Sequence, residues 1–578
     1  MKYSQIITQG IIECLGAQSL PLVEFVLSKP AEGFGDYSTN VSFLVAKKVK
    51  KNPIVIGEAL RNHLLKRIGS IVEKIEVKGG YINFFLSSDA LKSIGQEALS
   101  KGPHFYSNFV KEKRLHIVEF SSPNIAKPFT IGHLRSTIIG DAVARILAHA
   151  GYKVIKDNHL GDWGTQFGKM IVAIKKWGNE AELSLSTEPV KDLVKLYVKF
   201  HEESETVPDL QTAQDDATVP NKPLEDEARE WFTKLEQGDP EARRIWKKSV
   251  DLSLTEFSKI YQRLDVHFDT LWGESHFENK MAIVLEELKA KGLVRESEGA
   301  LVAFFDEELK LPPLMVLKKD GGTLYATRDL ATDRYRKEFY GSDIVIINEV
   351  GKEQALYFKQ IFKLEELLGY FPQDQRVHVM HGHYRFIDSK MSTRKGNVIW
   401  LNDVLDEAVR RAKTLCSDEG TEADAEKIGI GAIKFYDLCR SSEDDIVFSW
   451  ENMLNMKGDT GPYVQYTAVR INSLVAKAEK MGLSLPDNIV SLELKSDEFP
   501  IIKAIDGFGE AVEKAASNYA PHHLAGYLIS LCREYNSYYA KHNVVQESNV
   551  AGLFVSKAVV NVLTLGLGLL GIGVPSKM

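Results

Sequence analysis

Cysteine is scarce. The chain holds four in 578 residues, Cys14, Cys416, Cys439 and Cys532, and no Cys-x-x-Cys pair. Neither a disulfide framework nor a zinc knuckle is expected, and a reducing compartment fits. Charge of one sign is lacking too: 72 Lys and Arg face 79 Asp and Glu, a net charge of −7. That argues against a general nucleic-acid binder, whose affinity rests on phosphate contacts, but it leaves room for one local basic face on a large enzyme. No repeat of fixed period occurs. The opening MKYSQIITQGIIECLG has no uninterrupted apolar core, so no signal peptide is expected. Only one long apolar run exists, Ala558 to Val574, about 17 residues and at the lower limit for a spanning helix. Asn561 and several glycines interrupt it, and it reads as a buried helix closing a bundle.

The length exceeds one core, so roughly two to four domains are expected. Hydrophobic content of 44% and charged content of 26% are ordinary for a globular protein. The chain is organised around Ile117–Ile139, IVEFSSPNIAKPFTIGHLRSTII. Leu115 to Phe120 alternates and reads as a strand; Ser121 to Ile131, with two prolines and an Asn, reads as a loop. From His133 the apolar residues Ile139, Val143, Ile146, Leu147 and Ala150 recur at helical spacing, and Gly151 can end the helix. A helix opening at Gly132-His133 offers unpaired N–H groups and the positive end of its dipole to an anion. His133 can donate to a phosphate oxygen, and Lys127 adds a positive charge just upstream. Far downstream, Ser389–Gly396 reads SKMSTRKG, cationic and hydroxyl-rich, suited to the charge on a departing pyrophosphate.

TIGH and KMSTRKG resemble the HIGH and KMSKS signatures of class I aminoacyl-tRNA synthetases. SSPNIAKP, GHLRSTIIGD and LGDWGTQFG resemble arginyl-tRNA synthetases in particular. So do GDYSTN, YATRDLA, GDTGPYVQY and LLGIGVPSKM, in that family's order, and the likeness spans nearly the whole chain. Residues 109–408 read as alternating strands and helices, with strands at 115–121, 152–157, 343–349 and 376–381. The expected fold is a Rossmann-like parallel-sheet catalytic domain with helices on both faces and an insertion over about 170–320. Within that insertion, 204–227 reads as an exposed loop, and 241–264 as a helix whose aromatic stripe is core. Residues 1–108 read as an N-terminal α+β domain, with helical spacing over 6–27 and 41–65 and strands around Gly79-Gly80. Residues 409–578 read as a C-terminal α-helical bundle, with helices at 422–440, 463–480, 499–517, 521–540 and 550–571.

The resemblance implies ATP-dependent activation of L-arginine and its transfer to tRNA(Arg), giving AMP and pyrophosphate. It implies Mg²⁺ with ATP, no tightly bound metal, a cytoplasmic monomer and no membrane. It also implies that tRNA binds before the adenylate forms. Both reacting groups come from substrates, which accounts for the lack of a Ser/His/Asp set; the protein must align them and stabilise phosphate charge. Lys127, His133, Lys390 and Arg394 are the expected catalytic residues. Thr130, Gly132, His133, Lys390, Met391, Ser392 and Thr393 are expected on ATP. Thr130 stands where HIGH has its first His, and KMSTR lacks the second lysine, so Lys127 ranks above Arg394 as compensation.

A guanidinium calls for acids near the strand ends. The resemblance places Glu119, Tyr325 and Asp329 around it, with Asn124 and Gln354 near the α-amino group. Two plainer readings stand beside these: Glu119 as a buried ion-pair partner and Asp329 as a helix N-terminal acid. Tyr357 replaces an expected His. Tyr81 and Asn83 are expected at the tRNA elbow. Tyr463, Gln465, Tyr466 and Arg470 are expected against the anticodon arm, by stacking, amide and phosphate contacts. Two alternatives stay open: a nucleotidyltransferase of this fold that needs no RNA, and a non-catalytic RNA-binding relative, which the loss of His at 130 keeps in play.

Overall fold

The computed structural model describes residues 3–31, 33–111, 113–205, 223–319, 322–386, 399–417, 419–486 and 489–578. They form two compact units, one of residues 110–414 and 432–453, the other of residues 1–109, 415–431 and 454–578.

The first unit is built on a four-stranded sheet, all parallel. Its spatial order is Arg376–His381, Ile344–Gly351, Leu115–Glu119, Lys153–Asp157. The chain runs from Leu115–Glu119 to the neighbour on one side and returns, much later, to the neighbour on the other. This makes a topological switch point between Leu115–Glu119 and Ile344–Gly351, where open α/β sheets place ligands. The first strand was expected to reach residue 121 but stops at Glu119. Ser121 and Ser122 adopt left-handed backbone, φ 70° and 42°, which turns the chain off the sheet edge. The helix Gly132–Ala150 is buried along most of its length and ends at left-handed Gly151. Ile344–Gly351 leads through the turn Lys352–Gln354 into the helix Ala355–Leu368.

Between the second and third strands lie helices including Gln166–Trp177, Pro189–Glu205, Pro223–Glu236, Pro240–Arg263 and Glu278–Ala290. An antiparallel sheet of Val294–Ser297, Ala300–Ala303 and Leu314–Leu317 follows them. Of the stretch read as a loop, 206–222 lies outside the described residues. Its flanks are helical instead: Ser204 is buried near one helix end, and Pro223 opens the next, where its missing N–H costs nothing. On Pro240–Arg263, Ile245, Val250, Phe257 and Tyr261 are core, as the stripe required.

In the second unit, Leu27–Ser28, Tyr37–Thr39, Tyr81–Leu86 and Val72–Lys78 form an antiparallel sheet in that order. Gly79 and Gly80, φ +61° and +97°, supply the turn of the last hairpin. Helical spacing read over 6–27 ends at Ala17. The segment read as one helix over 41–65 is two, Val41–Val49 and Pro53–Ile68. Lys50 turns left-handed, and Asn52 caps the second helix through Ile54 N–H with Pro53 at its first position. The C-terminal helices are Gly461–Lys480, Phe499–Ser517, His522–Tyr539 and Val550–Leu569. Val550–Leu569 is long and apolar enough to cross a membrane, yet 72% of its most apolar window is buried inside the protein. Among the described residues the four cysteines form no disulfide.

Candidate active site

A cavity of about 640 Å³ opens at the switch point, a size suited to small-molecule substrates. Glu119, Asn124, Thr130, Gly132, His133, Tyr325, Asp329 and Gln354, all expected from sequence, line it together. Lys127 sits half-buried in the same loop, outside the cavity wall. Lys390, Met391, Ser392, Thr393 and Arg394 lie outside the described residues. Where the chain is described again, Ile399–Leu401 is hydrogen-bonded antiparallel to Phe129–Ile131, immediately before His133 (Ile131 N to Ile399 O 3.1 Å, Leu401 N to Phe129 O 2.9 Å).

One side of the cavity begins with His133. Its Nδ1 accepts the Thr130 N–H at 3.0 Å, with Thr130 Oγ1 3.2 Å away. Burial holds its pKa below the usual imidazole value. The ring is therefore neutral with its proton on Nε2, a fixed donor, and it stacks on Phe129 at 5.0 Å. Thr130 thus orients the histidine as well as lining the cavity. The turn after the first strand is held by side chains that sequence reasoning missed. Ser121 N–H donates to Ser136 Oγ (2.9 Å) and Ser122 N–H to Asn158 Oδ1 (3.1 Å). Ser121 Oγ contacts Thr137 Oγ1 and Tyr261 OH, each at 2.8 Å. Gly161 lets Asn124 in: a Cβ there would lie 2.4 Å from Asn124 Oδ1.

The other side is acidic. Strand register sets Asn348, Glu119 and Asp157 in a row across three strands. Arg336, from the helix Tyr325–Tyr340, covers that row. It donates to Glu119 Oε2 (2.5 Å), Asp157 Oδ2 (2.5 Å) and Asp333 Oδ1 (2.9 Å). Asn348 donates to Glu119 Oε1 at 2.9 Å. Glu119 is therefore a buried ion-pair partner, with both oxygens engaged, as well as a cavity wall. Burial opposes its charge, but Arg336 holds its pKa below the usual range. Arg376 joins Asp333 and Glu365, each at 2.8 Å.

Asp329 carries no such cation. Its Oδ2 accepts the Tyr357 hydroxyl at 2.5 Å, and burial pushes its pKa to about 6. Glu274, missed in the sequence, enters the cavity from the turn Glu274–Phe277. It pairs with Arg328 at 3.0 Å, and burial pushes its pKa to about 7. His159 also lines the cavity. Burial opposes its charge, but Glu119, Asp329 and Asp157 raise its pKa. This surplus of buried acid is an environment that a bound cation would relieve. No local pattern announces Glu274 or His159, which stand in segments far apart in sequence.

The expected RNA-facing residues divide. Tyr81 is 50% exposed and packs edge-on to Phe43, whereas Asn83, two residues on, is 2% exposed, with no partner for Nδ2 among the described residues. Tyr466 is exposed, Tyr463 half-buried, and Arg470 lies 3.6 Å over the Tyr539 ring. Gln465 departs from its expected place against RNA. It is fully buried, and its Nε2 donates to Lys427 O (3.0 Å) and Gly573 O (2.7 Å). Its Nε2 joins three chain segments, while its Oε1 is buried with no partner among the described residues.

A family model described as "tRNA synthetases class I (R), catalytic domain" matches residues 96–450. "Arginyl tRNA synthetase N terminal domain" matches residues 1–86, and "DALR anticodon binding domain" matches residues 464–578. The arginine–tRNA ligase of Clostridium perfringens is 40% identical over 588 residues, covering 100% of both chains. That of Alkaliphilus metalliredigens is 39% identical over 585 residues, covering 99% of each. Among solved structures, the arginyl-tRNA synthetase of Plasmodium falciparum superposes with a TM-score of 0.78 at 24% identity, over 100% of this chain and 98% of that one. That of Thermus thermophilus gives 0.77 at 24% identity, over 100% of both. These two likenesses establish the fold. With the sequence relatives and the three matched regions, they lead to one assignment: the chain belongs to the arginyl-tRNA synthetase family of class I.

Proposed function

We propose that this chain is an arginine–tRNA ligase that activates L-arginine with ATP at the switch-point cavity and transfers it to tRNA(Arg). The arginine carboxylate attacks the α-phosphorus of ATP; the bond to the β,γ-phosphates breaks and pyrophosphate leaves. A ribose hydroxyl at the tRNA 3′ end then attacks the carbonyl of the adenylate, and AMP leaves with the bonding pair. Neither step needs a nucleophile from the protein. His133 Nε2–H and the positive end of the helix at Gly132 meet the phosphates, Thr130 holds His133, and Lys127, Lys390 and Arg394 supply positive charge with Met391, Ser392 and Thr393.

The guanidinium takes Asp329 and Tyr325, with Glu119 behind them in the Arg336 network; Asn124 and Gln354 take the α-amino group. Mg²⁺ enters with the triphosphate. Among the described residues no group of three or more His, Cys, Asp or Glu side chains is arranged to hold a metal. Bound with the triphosphate, it would supply positive charge to the phosphate oxygens. Residues 1–108 take the tRNA elbow, with Tyr81; residues 409–578 take the anticodon arm, with Tyr463, Tyr466 and Arg470. The enzyme acts as a cytoplasmic monomer, off the membrane, and forms its adenylate only with tRNA bound.

The observation that carries this reading is the surplus of buried acid facing the same cavity as the Gly132-His133 helix start. Charging of tRNA(Arg) with labelled arginine tests it. The wild-type chain is expected to form arginyl-tRNA, and His133→Ala to lower kcat at least about 100-fold, as loss of a preorganised donor does. A wild-type chain that charges no tRNA with arginine would refute the reading.

A further inference from the structure

Tyr357 stands on the first turn of the helix Ala355–Leu368, beside the cavity it helps to line. Its ring packs at 5.6 Å against Phe358, and its hydroxyl donates to Asp329 Oδ2 at 2.5 Å. Asp329 Oδ1 has no hydrogen-bond partner among the described residues. Glu119, at the end of the first strand, has both oxygens committed to Arg336 and Asn348. Asp329 is thus a cavity acid with capacity to spare, and one phenol fixes its orientation.

We infer that Tyr357 is a positioning residue for arginine recognition. Its O–H locks the Asp329 carboxylate in the plane that a guanidinium fork requires, and so it sets the selection of arginine against lysine. The inference rests on the reading of the cavity as an arginine site. A carboxylate free to turn about its side-chain bond can follow a compact ammonium, whereas a locked one matches a planar fork. Burial and the Asp329 charge keep the phenol protonated, well above its usual pKa, so it stays a donor at any working pH. The same bond lowers the Asp329 pKa against burial. The other titratable groups facing Asp329 are His159 after the second strand, Glu119 on the first, Asp333 on its own helix, Glu274 from the insertion and Glu365 on the Tyr357 helix. Tyr357→Phe leaves all of them in place.

The test is steady-state charging with arginine and with lysine at pH 6 and pH 8. Tyr357→Phe is expected to raise the KM for arginine about tenfold at pH 8, with kcat within about twofold. It is expected to raise it further at pH 6, where Asp329 would now be protonated, and to shrink the arginine-to-lysine ratio of kcat/KM. An unchanged KM and ratio would overturn the inference. So would a loss confined to kcat and thermal stability. Tyr357→His, which keeps a ring donor, is expected to recover part of the ratio; a defect equal to that of Phe would also overturn it. Wild-type charging with arginine in the same assay separates the two ideas. Its failure refutes the site reading, while a normal wild type beside an indifferent Tyr357→Phe refutes only this one.

Discussion

Asp329 and Glu274 face the cavity with carboxyl groups that burial holds up at about 6 and about 7. A guanidinium binds the ionised forms, so arginine binding must release protons wherever these groups are still protonated. The direction follows. The free site holds more protons than the complex, so affinity rises with pH up to the raised pKa values and levels off above them. Affinity for arginine is expected to rise up to about tenfold per pH unit for each raised group, from both below about pH 6 and chiefly from Glu274 between about pH 6 and 7. Calorimetry in buffers of different ionisation enthalpy reads that release, and Asp329→Asn should remove the part that appears below about pH 6 while leaving that of Glu274. A pH-independent affinity would show that neither acid meets the cation. At this scale the family resemblance pointed to Asp329 and to Glu119. It did not show that Glu119 is already paired, because Arg336 and Asn348 reach it from elements more than two hundred residues away.

Two elements fix the cavity floor, the strand Leu115–Glu119 and the helix Gly132–Ala150, and they meet at Gly140. A Cβ there would lie 2.2 Å from both Cβ and Cγ of Phe120, far inside contact distance. Gly140→Ala is expected to cost about 1–3 kcal/mol of stability as an overpacked site and to raise the KM for ATP, since the Ser121–Thr130 loop hangs from that contact. Urea denaturation checks the first effect and charging kinetics the second. In a double-mutant cycle with Phe120→Ala, which removes the clashing Cγ, the two costs should be less than additive, and full additivity would place the strain elsewhere.

Helices were the most legible elements. Expected 499–517 is observed as Phe499–Ser517, and expected 521–540 as His522–Tyr539, because their apolar stripes are long. The depth of polar side chains was not legible. Gln465 and Asn83 both looked like amides available to RNA, and both lie inside, since periodicity tells the face of an element but not what covers that face.

Over the whole chain, net charge pointed away from RNA while the ordered motifs pointed to it. Charge averaged over 578 residues says little about one local surface. The switch-point topology that places the cavity could be outlined from alternating strands and helices. The acid network behind it could not, because it is written in strand register across Asn348, Glu119 and Asp157.

The central claim is that this cavity activates arginine and does so under the control of tRNA. ATP–pyrophosphate exchange, run with each amino acid with and without tRNA, tests it most directly. Exchange with arginine alone, and only when tRNA is present, is the predicted result. Exchange with arginine in the absence of tRNA would remove the control and keep the activity. Exchange with another amino acid, or none with arginine when tRNA is supplied, would contradict the account.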